Sequence, residues 1–242
     1  MQNTRRGRNA WRGLLYSFTT MILLGGMAFL LAAANDSEKD EETLKNSASV
    51  FQEISNEAKI PADLLAKTDC IMVLPGVKKG GFVVGGSGGR GSMSCREGKD
   101  FSGQWSAPAM YSIGGASVGL QAGATTTDFV LLVVNTKGVE AILADKTKLG
   151  TDATAAAGPS GATAASSSVG GADVLTYARA KGLFAGVSLE GATLHQDGDA
   201  NERLYSKKVT AQDIVRNNAV QPTPAGQELV SLLNSKVPAH GN

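Results

Sequence analysis

The sequence has very little of the side chains from which catalytic and metal sites are usually built. Among 242 residues there are two cysteines, Cys70 and Cys95, and two histidines, His195 and His240. These residues are too widely spaced to match the ligand patterns of a zinc site. We therefore expect no metal site and no cofactor. Cys70 opens one predicted strand and Cys95 closes another, which leaves two alternatives: a disulfide, or two buried small apolar side chains.

An excess of positive charge is also missing. The chain carries 23 lysines and arginines against 22 acidic residues. Four of the arginines lie in residues 1–34, which contain no acidic residue, so the rest of the chain has 19 basic and 22 acidic side chains and a net charge of −3. Nucleic-acid-binding domains carry basic patches and a high net positive charge. The sequence therefore argues against a nucleic-acid partner.

One long apolar run is present, and it lies near the start of the sequence. Four arginines precede the run over 14–34, which ends in Ala32-Ala33-Ala34, a small-residue pattern typical of a signal-peptide cleavage site. We predict a cleaved signal peptide over 1–34 and a single domain over 35–242, exported to the periplasm or cell envelope. The alternative is an uncleaved inner-membrane anchor, because the 21 residues of this run are just enough to span a bilayer.

Helical periodicity is strongest at the two ends of this domain. Apolar residues recur every three or four positions from Leu44 to Ala58, and Pro61 begins a second short helix. Near the other end, Thr210–Asp213 reads as a capping box and Thr223-Pro224 as a helix start. We therefore predict helices at both termini, the C-terminal ones within 210–236.

Short glycine-rich strands fill the middle of the domain. We expect a turn at Pro75-Gly76, a flexible loop at Gly85–Gly91, a buried strand at Phe129–Asn135 and a helix from about Val139 to Lys146. This order of elements predicts an α+β fold. It is a single domain with a strongly bent antiparallel glycine-rich sheet or partial barrel, on which the N- and C-terminal helices pack.

A segment of small residues, 150–171, has two readings. It is either a linker between domains or a tightly packed inner segment, because alanine and glycine let backbones approach closely. We prefer the packed segment, which leaves one core over about 44–205.

Ser117 lies in the sequence pattern that most directly suggests catalysis. Gly115–Gly119 fits G-x-S-x-G, and Asp128 or Asp173 followed by His195 completes a hydrolase order. The pattern requires a helix directly after the serine, but the residues that follow are rich in glycine and threonine, which form helices poorly. A serine hydrolase acting through Ser117 is therefore only a third hypothesis, and we expect no enzyme.

Several basic residues stand beside glycine-rich turns. Backbone N–H groups exposed at such turns can share an anion with a nearby cation. Each of these residues taken singly has an alternative role as a solvated surface charge, and only their clustering favours a site. The predicted lipid-binding residues are Lys78, Lys79, Arg90, Arg179 and Lys181.

The order of several sequence blocks carries a family resemblance. The blocks are Leu74–Phe82, Gly89–Gly91, Trp105–Pro108, Gly119–Gly123, Lys148–Ala153, Ala157–Pro159 and Tyr177–Gly191, with Asn201 and Tyr205 beyond them. Together they resemble the SYLF family, the Ysc84-like lipid-binding domain, in its bacterial exported type. The resemblance implies a non-enzymatic lipid-binding domain, whose eukaryotic relatives prefer phosphoinositides, in some cases alongside actin.

The functional expectation combines this resemblance with the placement of the cations. We expect a non-enzymatic protein of the cell envelope that binds an anionic phospholipid or membrane surface through the five basic residues. The alternative is a structural or interaction protein of the envelope, which binds another envelope protein and has no lipid ligand of its own.

Overall fold

The computed structural model describes residues 35–81, 84–118, 123–159, 171–180, 183–185, 189 and 191–240. The chain divides into two compact units, Met1–Lys39 and Asp40–Asn242. Of the first unit only residues 35–39 are described, and they are helical. The predicted signal peptide over 1–34 lies outside the described residues, so its cleavage and the resulting export stay predictions. Within the ranges given above, no helix has both the length and the apolar character needed to cross a membrane.

The second unit contains six helices in its described residues, and local capping explains where several of them begin. Asn135, Asp197 and Thr223 each accept a backbone N–H bond at a helix start. The predicted capping box of Thr210 and Asp213 is confirmed. The helices are α1 (40–57), α2 (Ala62–Ala66), α3 (Thr136–Leu143), α4 (Gly198–Tyr205), α5 (Ala211–Val215) and α6 (Pro224–Lys236).

Nine described strands of this unit form one sheet. Eight follow the order β5-β9-β3-β2-β1-β4-β7-β6, and β8 pairs with β7 beside that path. Every pair is antiparallel except β6 with β7. The strands are β1 (Cys70–Gly81), β2 (Val84–Cys95), β3 (Ala109–Val118), β4 (Gly123–Val133), β5 (Lys146–Lys148), β6 (Ala155–Ala157), β7 (Val174–Ala180), β8 (Leu183–Ala185) and β9 (Thr193–Gln196).

Both faces of the sheet are covered by helices near its centre. Alternate residues of a strand point to opposite faces, so β1 and β4 can be apolar on both sides. We call one side the α3 face, where Met72 and Leu131 pack with Ile142 of α3. We call the other side the α1 face, where Ile71 and Leu132 pack with α1, α2 and α6. The core therefore has two layers, one on each side of the same strands.

Strand β1 does not end where the sequence suggested. We expected a turn at Pro75-Gly76, but β1 continues to Gly81, and its pairing with β4 shifts in register between Leu74 and Val77. Gly76 adopts a φ of +59°, which favours glycine, and its N–H donates to Asp128 Oδ1 at 2.8 Å. The proline and glycine thus form a bulge inside one long strand.

Cys70 and Cys95 lie directly opposite each other on β1 and β2 and form a disulfide. Both are completely buried in the cluster of the α3 face. Of the two alternatives left by the sequence, the structure has the disulfide, at the buried end of the β1–β2 pair.

The fold prediction is confirmed. The second unit is an α+β domain whose curled, glycine-rich sheet carries helices from both ends of the unit. The small-residue segment contributes β6, which lies parallel to β7, while residues 160–170 fall outside the described residues.

Candidate functional site

Lys78 and Lys79 occupy the outer half of β1, beyond the covered part of the sheet. Both side chains are exposed. Because Val77 is buried on the α3 face, alternation places Lys79 on that face and Lys78 on the α1 face. Their pairing partners are small: Lys78 stands between Gly88 and Thr126, and Lys79 between Ser87 and Thr125. Each lysine therefore projects from a part of the sheet with few bulky neighbours.

Arg90 is engaged in a network of carboxylates. Its guanidinium contacts Asp40 Oδ1 at 2.6 Å and donates from Nε to Asp197 Oδ2 at 2.9 Å. Arg203 donates from Nε to the second oxygen of Asp40 at 2.7 Å. Burial opposes the charge on Arg90, but these hydrogen bonds outweigh it and raise the pKa of Arg90. The Asp40 side chain is 0 % exposed, so the network neutralises a buried charge.

Arg179 is engaged in the same way at the other end of α1. Its guanidinium pairs with Glu53, lies 3.8 Å from Glu57 and contacts Asp128 Oδ2 at 3.2 Å. Partial burial acts against the charge, yet the bonds to Asp128 and Glu53 raise the pKa of Arg179. The side chain is 20 % exposed. Arg179 thus links α1 to β4 and β7.

The two arginines together hold α1 against the sheet. Arg90 lies on β2 and Arg179 on β7, which are separated by β1 and β4. Three strand spacings correspond to about 14 Å, so α1 crosses four strands and has an ion pair near each end. Two of the five predicted lipid-binding residues therefore have a structural role. Lys181 lies outside the described residues, and a lipid contact for any of the five stays a prediction.

Four glycines of β2 fall into two groups that differ in how much room a side chain would have. A Cβ on Gly91 would lie 2.0 Å from the carbonyl oxygen of Val73, and one on Gly89 would lie 2.9 Å from the Val77 side chain. On the opposite face, a Cβ on Gly86 or Gly88 would have its nearest neighbour at 3.7 or 3.9 Å. Packing requires glycine only in the first group.

Two further lysines were missed by the sequence reasoning. We expected a helix to reach Lys146, but α3 ends at Leu143 and Lys146–Lys148 forms β5. Thr147 is buried and its hydroxyl donates to the carbonyl of Ala141 in α3, so Lys146 and Lys148 project to the opposite side. Alternating exposure over three residues is a weak signal, which explains why the strand was not predicted.

These lysines stand in register with Lys78. Strand pairing aligns one residue from each of five neighbouring strands, β5, β9, β3, β2 and β1, and the next row adds three more. These residues lie on the α1 face, are exposed or partly exposed, and are called the open face here. The open face consists of Lys148, Thr193, Gly114, Gly88 and Lys78, with Lys146, His195 and Ser112 beside them.

Comparison with known proteins places these features in a family. Residues 114–236 match the family model described as "Ysc84: Las17-binding protein actin regulator". An SH3 domain-containing protein of Schizosaccharomyces pombe is 36% identical over 191 residues, which is 77% of this chain and 43% of that protein. The chain belongs to the Ysc84 (SYLF) family. The resemblance inferred from the sequence blocks is confirmed.

Other members show how much of the Ysc84 family's longer proteins this chain represents. "LAS seventeen-binding protein 3" of Saccharomyces cerevisiae is 33% identical over 84% of this chain and 44% of its own length. "SH3 domain-containing YSC84-like protein 1" of Homo sapiens is 31% identical over 83% of this chain and 58% of its own length. The chain therefore spans about half the length of these relatives. They come from fungi and a mammal, and the bacterial exported type stays a prediction.

The arrangement of the Ysc84-family sheet does not assemble the hydrolase residues. Ser117 of β3 pairs with Gly85 of β2. His195 of β9 pairs with Ser112, which lies on β3 five residues before Ser117. Five residues of extended strand span roughly 16 Å, far beyond hydrogen-bond reach. The Asp128 carboxylate accepts hydrogen bonds from the Gly76 N–H and from the Arg179 guanidinium. The relatives are named as binding or SH3 domain-containing proteins, and none of these names describes an enzyme.

Asp173 has a structural role instead of a catalytic one. Its carboxylate accepts bonds from the Thr154 N–H and hydroxyl, from Asn135 Nδ2 and from Lys137 Nζ. It thereby ties β6, α3 and β7 together. Burial raises the pKa of this carboxyl, but the hydrogen bonds from Thr154, Lys137 and Asn135 outweigh burial and lower it from 3.8 to about 2.

This carboxylate predicts a specific dependence of stability on pH. Because the pKa is lower in the folded state, ionised Asp173 stabilises the fold above about pH 4, and this contribution disappears as the pH falls towards 2. The shift corresponds to about 2 kcal/mol. In urea unfolding, Asp173→Asn should be less stable than wild type by about that amount at pH 6, and the gap should shrink between pH 4 and pH 2. A gap that stays constant over this range would contradict the prediction.

Proposed function

We propose that this Ysc84-family chain binds anionic phospholipid at a membrane surface, without catalysis. The observation that supports this most directly is the exposure of Lys78 and Lys79 at the glycine-rich end of the sheet. Among the described residues, neither lysine has a carboxylate within ion-pair distance, whereas Arg90 and Arg179 do. The two lysines lie on opposite faces of the strand, and an uncompensated positive charge with small neighbours on either face can approach lipid phosphates closely.

The proposal includes the compartment that we expect from the sequence. Disulfides persist in oxidising compartments and are rare in the cytosol. The Cys70–Cys95 bond is therefore compatible with export to the periplasm or envelope, as the run over 14–34 suggests. In this setting the ligand would be an abundant anionic phospholipid of the envelope.

A second function is favoured by the comparisons. The family model is described as a Las17-binding protein and actin regulator, and one relative is named for binding LAS seventeen. These names concern protein partners. The alternative is therefore a protein-interaction module of the envelope that does not respond to lipid charge.

Vesicle co-sedimentation separates the two functions. We expect the full chain to bind anionic vesicles more tightly than neutral ones, with a ratio that falls as salt is raised. Each lysine near a charged membrane contributes about 1 kcal/mol, so Lys78→Ala/Lys79→Ala should reduce the ratio by about 5-fold for every lysine that touches the lipid. The quantity to compare is the ratio of binding to anionic vesicles and binding to neutral vesicles. The apolar run over 14–34 would add binding that does not depend on lipid charge, and the ratio shows the charge-dependent part.

The control is a second pair of adjacent lysines. Lys207 and Lys208 are exposed in the segment between α4 and α5, and Lys207→Ala/Lys208→Ala removes the same charge. This variant should keep the wild-type ratio. Equal binding of the wild-type chain to anionic and neutral vesicles would refute lipid recognition and favour the protein-interaction module.

A further inference from the structure

The open face differs from the core of the α1 face because its residues are exposed or partly exposed, whereas those of the core are buried. Helix α1 crosses β2, β1, β4 and β7, and its ion pair with Arg90 lies at the border of the open face. Beyond that border, towards β5, Lys146 and Lys148 are exposed, and Thr193 and His195 are partly exposed. In these two rows, the described residues of the sheet are therefore at least partly accessible across several strands.

The positive charges of this face lie on both sides of a strip of small residues. Lys148 on β5 and Lys78 on β1 are four strand spacings apart, or about 19 Å. Lys146 lies in the adjacent row and pairs with His195. Between the lysines the row contains Thr193, Gly114 and Gly88, none of which carries a charge. The arrangement is broad and shallow, with a cation at either side.

The nearby acidic groups leave these lysines uncompensated. Among the described residues, Lys78, Lys146 and Lys148 have no carboxylate within 4 Å. Asp197 and Asp40 are paired with Arg90 and Arg203. Asp152 accepts the backbone N–H of Lys148, and exposed Asp145 adjoins the strand. The residues that define the open face thus include lysines and no carboxylate.

The fold gives no reason for the glycines in this strip. A Cβ on Gly88 or Gly114 would have its nearest heavy atom at 3.9 Å, which is ordinary contact, and neither residue needs a positive φ. Glycine in a strand lowers stability, and without a packing reason it is typical of places where another molecule approaches the backbone. The glycines between the lysines therefore support the same interpretation as the lysines, that another molecule approaches this surface.

We propose that the open face is the surface that lies against the anionic bilayer, with Lys78, Lys146 and Lys148 contacting lipid phosphates. This rests on the proposed lipid-binding function and adds the residues of β5 and the orientation of the sheet. A bilayer fits better than a small ligand, because the cations are spread over about 19 Å on a shallow surface and do not converge on one point. Lys79, on the α3 face, points away from the lipid.

The adjacent lysines of β1 provide a sharp test of which face is used. Lys78→Glu and Lys79→Glu change the same charge one residue apart but on opposite faces. We expect Lys78→Glu to weaken binding to phosphatidylglycerol-containing vesicles by roughly 10-fold or more, and Lys79→Glu by less than about 3-fold. The measurement is the ratio of binding to these vesicles and to neutral phosphatidylcholine vesicles, at fixed salt, with the full chain.

The lysines of β5 provide the second test. Lys146→Glu/Lys148→Glu should weaken binding by at least about 30-fold, whereas Lys207→Glu/Lys208→Glu, with the same change of net charge, should change it little. Thermal unfolding followed by circular dichroism should give all variants a Tm within about 2 °C of wild type, because these side chains are exposed.

The outcomes separate this inference from the function on which it rests. Loss of binding in the Lys78 and β5 variants only would support the open face. If the wild-type chain selects anionic vesicles but Lys146→Glu/Lys148→Glu still binds them fully, the open face is refuted and lipid binding stands. If all four variants weaken equally, net charge rather than a surface governs binding, and the inference is also refuted. No selectivity in the wild-type chain would remove both proposals.

Discussion

Gly91→Ala should remove most of the stability of the folded chain. The added methyl group would lie 2.0 Å from the Val73 carbonyl oxygen and 2.8 Å from Leu74 Cα. Both atoms belong to the backbone of β1, at the start of the bulge, so no side chain can rotate away. Steric overlap of this kind costs more than about 3 kcal/mol. Urea unfolding followed by tryptophan fluorescence would measure the loss as a lower midpoint, or as failure to fold.

Gly88→Ala is the matched control on the same strand. Its Cβ would lie 3.9 Å from the Ile113 carbonyl oxygen, with room to spare. Replacing glycine by alanine without strain restricts the unfolded chain and stabilises a protein by about 0.4–1 kcal/mol. We therefore expect the free energy of unfolding to fall in Gly91→Ala and to rise in Gly88→Ala, although the two positions are only three residues apart. A similar loss of stability at both would show that β2 needs glycine throughout and would weaken the case for the open face.

Arg90→Met should produce the second large effect. The substitution leaves the fully buried carboxylate of Asp40 with Arg203 and without its 2.6 Å partner. Removing one member of a buried ion pair costs about 3–5 kcal/mol, because the remaining charge is desolvated. We place this variant near the lower value, about 3 kcal/mol, because Arg203 remains and Arg90 is 34 % exposed. Equilibrium unfolding in urea at pH 7 would measure it.

Lys148→Met provides the reference for removing an exposed cation. It should change the free energy of unfolding by less than about 0.5 kcal/mol. Arg90→Lys should lie between the two variants, because an ammonium group cannot reach Asp40 and Asp197 with the geometry of a guanidinium. If Arg90→Met proved as stable as Lys148→Met, the network would not hold α1, and Arg90 would again be available as a lipid contact.

The fold was largely predictable because its signals are local. The periodicity from Leu44 to Ala58 and the capping box at Thr210 depend only on residues that are close together in the sequence, and both correspond to helices in the structure. The continuation of β1 through Pro75-Gly76 was not predictable in this way. It depends on Asp128, which accepts the Gly76 N–H from 52 residues away.

The site was less predictable for the same physical reason. Arg90 and Arg179 stand beside glycines in the sequence, which suggested free cations. Their partners Asp40 and Glu53 belong to α1, and Asp40 lies 50 residues before Arg90. Only the packing of α1 on the sheet brings them together. The predicted helix ended at about Lys146 and no strand was predicted for Lys146–Lys148, so the alignment of these lysines with Lys78 could not be foreseen.

The position of β5 at the rim of the sheet has a consequence for self-association. An edge strand offers unpaired N–H and C=O groups to any other chain, and natural proteins limit this hazard with short edge strands and lysines. β5 is three residues long, and two of them are lysines. The same side chains therefore act against edge-to-edge aggregation, whatever else they bind. Because glutamate preserves that protection and alanine does not, Lys146→Glu should aggregate less than Lys146→Ala in concentrated solution, which light scattering would measure.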